Sequence, residues 1–72
     1  MKSSTEFPRR LRALRKKKEL SVREAARLLE ISPSMLQRYE AGLNSPSIER
    51  VSRFAAILKV DLNTLIRIKG AA

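Results

Sequence analysis

The polar side chains with the clearest common placement are Ser34, Gln37 and Arg38. They fall at i, i+3 and i+4, which puts them on one face of a helix. A hydroxyl, an amide and a guanidinium in a row recognise rather than react. Each offers hydrogen bonds to a planar edge, and the guanidinium can offer two in parallel. The chain around them has 72 residues, with 16 Lys and Arg against seven Asp and Glu, a formal charge of +9. Such an excess favours polyanions, nucleic acid before an anionic membrane surface. Reaction chemistry is poorly supplied. Histidine and cysteine are absent, which removes most zinc sites and most nucleophile–base pairs. The few carboxylates form no constellation suited to acid–base work. The composition implies a binding protein with no enzymatic activity, metal, cofactor or evident small-molecule ligand.

A recognition face needs a helix held at a fixed angle, and the stretch Val22 to Ala41 supplies one as the second of a pair. Ala25, Ala26, Leu28 and Leu29 give the first segment an apolar stripe at helical spacing. Ser21 caps it, and Glu24 three residues later completes a capping-box spacing. Ala25 and Ala26 are small where a crossing helix must come close. Ser32 followed by Pro33 starts the second helix, because the serine oxygen accepts an orphan N–H and proline fits the first helical position. Leu36 and Tyr39 face inward, with Ile31 packing from the turn and Met35 at the exposed flank. Gly42 is available for a left-handed cap after Ala41. Two helices joined by about three or four residues, on a basic chain, suggest a helix-turn-helix whose second helix enters a DNA groove.

Three further helices complete the pattern. The first runs from near Pro8 to about Lys18, with Phe7, Leu11 and Leu14 apolar. Arg9, Arg10, Arg12 and Arg15 to Lys18 crowd its remainder, and Arg10 and Lys17 are the candidates in this run for contact with phosphate. Leu20 is a buried connector. Ser47 caps a fourth helix from Ile48 to about Leu58, whose apolar residues Ile48, Val51, Phe54, Ala55 and Leu58 keep the helical period. Asp61 caps a fifth from Leu62 to about Ile68, with Leu65 and Ile66 inward. Nothing alternates at period two for long enough to form a strand. The expected organisation is a mobile arm over 1–6, one all-α domain over 7–69 and a tail over 70–72.

With these pieces in order, the chain resembles the phage repressor/Cro-type (Xre-like) helix-turn-helix family from about Phe7 to Ile66. The residues that carry the likeness include Leu11-x-x-Leu14-Arg15, Leu20-Ser21, Ala26, Leu29-x-Ile31-Ser32, Leu36 and Arg38-Tyr39-Glu40-x-Gly42. Pro46-Ser47-Ile48 and Leu58-x-Val60-Asp61-Leu62-x-x-Leu65 extend it. The resemblance implies a compact five-helix, lambda-repressor-like domain whose second and third helices read double-stranded DNA, commonly as a homodimer on a two-fold symmetric operator. By position, Ser32, Pro33, Ser34, Gln37 and Arg38 face the major groove. Arg38 can pair bidentately with guanine O6 and N7, Gln37 can pair with adenine or hold a phosphate, and Ser34 discriminates poorly. The resemblance further implies an ion pair between Arg15 and Glu40 that ties the first helix to the end of the third. It places Asn44 and Ser45 along the phosphate backbone, although turn chemistry explains a loop asparagine equally well.

The sequence departs from the family at several points. Glu30 and Glu19 stand where glycine is frequent, so both turns must be made without glycine's freedom. Val22 replaces a frequent glutamine that touches the DNA backbone, leaving Arg23 or the start of the second helix to supply that contact. Pro33 can offer only van der Waals contact. The function implied is a sequence-specific transcriptional regulator, a repressor before an activator. The alternative is an antitoxin-like or interaction module whose main partner is another protein. The fifth helix and its tail, with Ile68, are the candidate dimer surface. Without an apolar run long enough for a membrane span or a secretory signal, the expected location is the cytoplasm, with the nucleoid.

Overall fold

The computed structural model describes residues 6–66, which form five helices and no strand. They are α1 (Glu6–Lys17), α2 (Val22–Leu29), α3 (Pro33–Ala41), α4 (Ile48–Leu58) and α5 (Leu62–Leu65). Glu6 opens α1 rather than ending an arm, and Pro8 sits in the first turn, where a missing N–H costs nothing. Glu6 at one end of α1 and Arg15, Lys16 and Lys17 at the other match the helix dipole.

Short helices are marginal alone, and here the starts of α2, α3 and α4 are fixed locally. Glu24 N–H donates to Ser21 Oγ at 3.1 Å, and Ser21 N–H donates back to Glu24 Oε1 at 2.9 Å, a complete capping box. Met35 N–H donates to Ser32 Oγ at 3.0 Å, with Pro33 at the head of α3. Arg50 N–H donates to Ser47 Oγ at 3.1 Å and starts α4. Asp61 precedes α5 without capping it through its side chain.

The ends of α1, α2, α3 and α4 share one geometry. Glu19, Glu30, Gly42 and Lys59 all have positive φ, at 58°, 62°, 78° and 60°. The next residue reaches back each time: Leu20 N–H to Arg15 O, Ile31 to Ala26 O, Leu43 to Arg38 O and Val60 to Ala55 O, at 2.9–3.1 Å. These are Schellman ends, each followed by an apolar residue. Three of the four left-handed positions carry a side chain where glycine would be easier. Leu20, Ile31 and Val60 pack against the core, whereas Leu43 is 69% exposed.

All four long helices and α5 contribute to one core. Leu11, Leu29, Leu36, Phe54 and Leu65 are its most deeply buried large side chains, and Ala25 and Ala26 are buried on α2, which packs on α3. Tyr39 stands between Phe7 and Phe54, with ring centroids 6.4 and 6.0 Å away and both pairs tilted toward edge-on.

Several expectations need correction. Leu28 is 49% exposed, because it lies a full 100° round the helix from Leu29 and misses the buried stripe. Ile48 is 56% exposed, at the first position of α4 where no neighbouring helix covers it. Met35 is half-buried rather than exposed, packed against the core under the loop after α3. The fifth helix is four residues long and ends at Leu65, with Ile66 extended at φ −135°, ψ 154°. Ile68 and the tail lie outside the described residues, as do residues 1–5 of the expected arm.

Candidate nucleic-acid interface

The outward face of α3 is built by subtraction. Leu36 and Tyr39 are fully committed to the core, so the opposite stripe, Ser34, Gln37, Arg38 and Ala41, is exposed. Ser32 and Pro33 are exposed at its leading end. The five residues expected to read bases therefore share one surface. Its angle is set by the capped turn at Glu30–Ser32 on one side and by a junction with α1 on the other.

That junction is the ion pair of Arg15 and Glu40. Arg15 Nε donates to Glu40 Oε2 at 2.7 Å and Nη2 donates to Oε1 at 3.1 Å, a bidentate pair. Arg15 Nη1 donates to Leu20 O at 3.0 Å, so the same guanidinium ties the end of α1 to its following turn. The two side chains are only 12% and 9% exposed. The hydrogen bond to Glu40 raises the Arg15 pKa above its ordinary value. Desolvation opposes this, and the charge of Glu40 adds to it.

Arg38 is held differently. Its Nε donates to Asn44 Oδ1 at 3.1 Å, and Asn44 Nδ2 in turn contacts Met35 Sδ at 3.9 Å. Asn44 is thus half-buried and engaged at both ends of its amide. Ser45 beside it is exposed and lines a cleft with Phe7 and Pro8.

The basic run on α1 divides between two sides. Arg10 turns toward α5: its Nη1 donates to Thr64 O at 3.5 Å and its Nε lies 3.4 Å from Glu6 Oε1. Lys17, two turns further on, projects from nearly the same side of the helix. Arg12 lies about 160° round from Arg10. It borders a cleft of about 270 Å³ with Arg15, Val22, Gln37, Glu40 and Ala41. Geometry therefore brings Arg12, not Arg10, to the surface that carries Gln37. The pattern of residue types could not show this, because cations fill almost every polar position of α1. Arg23 is exposed at the start of α2. Arg50, which the sequence reading did not single out, donates from Nη1 to Tyr39 Oη at 3.1 Å.

Two short capped helices crossing over small residues, the second with a polar outer stripe, define a helix-turn-helix domain of five helices. The chain belongs to the helix-turn-helix family HTH_3, whose model matches residues 11–65. Among solved structures it is similar to an HTH_3 family transcriptional regulator from Vibrio cholerae, at 29% identity and a TM-score of 0.79. That likeness covers 86% of this chain and 35% of the Vibrio protein, so the chain spans about a third of that regulator. It is also similar to the restriction-modification controller protein C.AhdI from Aeromonas hydrophila, at 28% identity and a TM-score of 0.79, over 88% of this chain and 91% of the controller. A hypothetical transcription factor, NHTF, from Neisseria shares the fold at 20% identity and a TM-score of 0.82, over 92% of this chain and 76% of that one. Among curated protein sequences none matches significantly. Within the described residues no helix is long and apolar enough to cross a membrane.

Proposed function

We propose that this protein is a sequence-specific double-stranded DNA-binding transcriptional regulator that reads the major groove with α3. The observation that carries the reading is the exposed stripe Ser34, Gln37 and Arg38 on a helix locked at both ends, in a chain of net charge +9. Family membership and the likeness to two regulators support it. The mechanism needs no catalysis. Cations neutralise phosphates and release counterions, so binding weakens as salt rises. Arg38 pairs with a guanine, Gln37 with a neighbouring base or a phosphate, and Ser32, Pro33 and Ser34 fit the groove wall.

The phosphate contacts follow from the same surface. Arg12, beside Val22 and Gln37, supplies the backbone contact that a glutamine makes in relatives carrying one in place of Val22. Arg23 on α2 and Ser45 in the loop after α3, both exposed, add to it, while Arg10 turns toward α5 and Lys17 lies on the same side of α1 as Arg10. The protein acts as a homodimer on a two-fold symmetric site, with half-sites about 34 Å apart, and represses by occupying that site. Selection from a random duplex library tests the reading. Enrichment of one site with two-fold symmetry is expected, and a pool that stays unenriched at moderate salt would refute it.

A further inference from the structure

Asn44 is built into the end of α3 in a way that bears on how Arg38 is presented. Gly42, at φ 78°, turns the chain so that the backbone N–H groups of Gly42, Leu43 and Asn44 all converge on the carbonyl of Arg38, Leu43 at 2.9 Å and Asn44 at 3.4 Å. The Asn44 side chain then closes the ring by accepting from Arg38 Nε at 3.1 Å. Chemistry fixes the direction of its amide. Nε–H is a donor, so the oxygen must face Arg38 and the NH2 must face the sulfur of Met35, 3.9 Å away. Met35 is itself half-buried against the core. Arg38 is therefore grasped at its carbonyl and its Nε by one neighbour, which is anchored in turn.

This leaves a specific edge of the guanidinium. Of its five N–H donors, the one on Nε is spent, which blocks the side-on pairing that would use Nε with one terminal nitrogen. The two terminal nitrogens remain as a parallel pair, suited to O6 and N7 of one guanine. We propose that Asn44 is a positioning residue for base recognition. It presets Arg38 for end-on pairing and is not itself a phosphate ligand. The proposal rests on the DNA-reading function of α3 and names the residue that sharpens it. Presetting a long side chain before binding spares part of its ordering cost, which corresponds to about a three- to tenfold effect in affinity.

The test uses the full chain and the duplex it selects. The readout is the affinity ratio between that site and the same site altered at the one base pair whose preference Arg38→Ala abolishes. Asn44→Ala is expected to lower this ratio about three- to tenfold, with little change in affinity for random duplex or in melting temperature. In an Arg38→Ala background the same substitution should change nothing. Asn44→Asp keeps the acceptor and should keep the Arg38 Nε–H bonded, while its charge competes for the guanidinium and weakens binding to every duplex. In the free protein, the Arg38 Nε–H resonance should exchange slowly with solvent in the wild type and fast in Asn44→Ala. Equal loss on all duplexes would make Asn44 a phosphate ligand and overturn the proposal, as would an unchanged ratio or an effect that persists without Arg38. A wild-type chain that selects no duplex would overturn the reading of the function itself. A selective wild type matched in every measurement by Asn44→Ala would overturn only the role of Asn44.

Discussion

Arg15 and Arg38 are both arginines tied by a side chain to another part of the fold, and they end in opposite states. Arg15 lies inside the α1–α3 junction, with three of its nitrogens donating to Glu40 and Leu20. Arg38 lies on the outer face of α3, with only Nε committed to a neutral amide. A carboxylate neutralises the inner guanidinium and consumes its donors, which makes it a strut. An amide orients the outer one and leaves its charge and terminal N–H pairs available. The partner of each arginine, a carboxylate or an amide, thus separates the strut from the arginine proposed to read bases.

The largest expected effect is on the scaffold side. Glu40→Ala strands Arg15 in a site where its side chain is 12% exposed, and should lower folding stability by about 2–4 kcal/mol. Glu24→Ala, at the exposed capping box, should cost less. Equal melting temperatures for the two variants would erase the contrast on which the comparison stands. On the DNA side, Arg12→Ala should weaken binding to all duplexes and reduce the slope of log affinity against log salt by about 1. Arg10→Ala should leave that slope unchanged, since its guanidinium is turned to α5. The opposite ranking would move the phosphate track to the other side of α1.

Smaller effects sharpen the picture of the turn that aims α3. Glu30 holds φ 62° with a side chain, so Glu30→Gly should stabilise the fold by about 0.5–1 kcal/mol, the left-handed penalty relieved less the glycine's extra unfolded entropy. Denaturant titration reads this directly, and a loss of stability would mean that the carboxylate does more than tolerate its position. The smallest effect is on pH dependence. The backbone N–H of Ser21 donates to Glu24 and holds its pKa below the ordinary 4.5. A lowered folded pKa adds stability above 4.5 that is lost as pH falls through the folded value. The advantage of wild type over Glu24→Gln should therefore be present at neutral pH and be lost as pH falls through the folded pKa of Glu24. An advantage that grows in acid would contradict the capping assignment.

Much of this architecture was legible in the sequence because it is written in local chemistry. Ser21 with Glu24, Ser32 with Pro33, and Ser47 each specify a helix start within four residues. Glu19 and Glu30 were readable as left-handed turns only because the family resemblance pointed to glycine there, and Lys59, which adopts the same geometry, gave no such signal. Orientation was less accessible. Arg10 and Arg12 are the same residue type two positions apart, and only the packing of α1 against α3 and α5 separates them. Leu28 and Ile48 satisfy the apolar period but stand where no helix covers them. The engagement of Asn44 with Arg38 depends on the fold of the Gly42 cap, which neither the family resemblance nor the turn chemistry of a loop asparagine specifies.

On the proposed reading the outer face of α3 recognises sequence, while the inner pair of Arg15 and Glu40 only holds it. This division is tested most directly by measuring Arg38→Ala against two duplexes at one salt concentration, the selected site and a random sequence of equal length. The variant is expected to keep its fold and most of its affinity for the random duplex, while preference for the selected site falls by about 1–3 kcal/mol. Equal loss on both duplexes would make Arg38 a phosphate clamp and contradict the account.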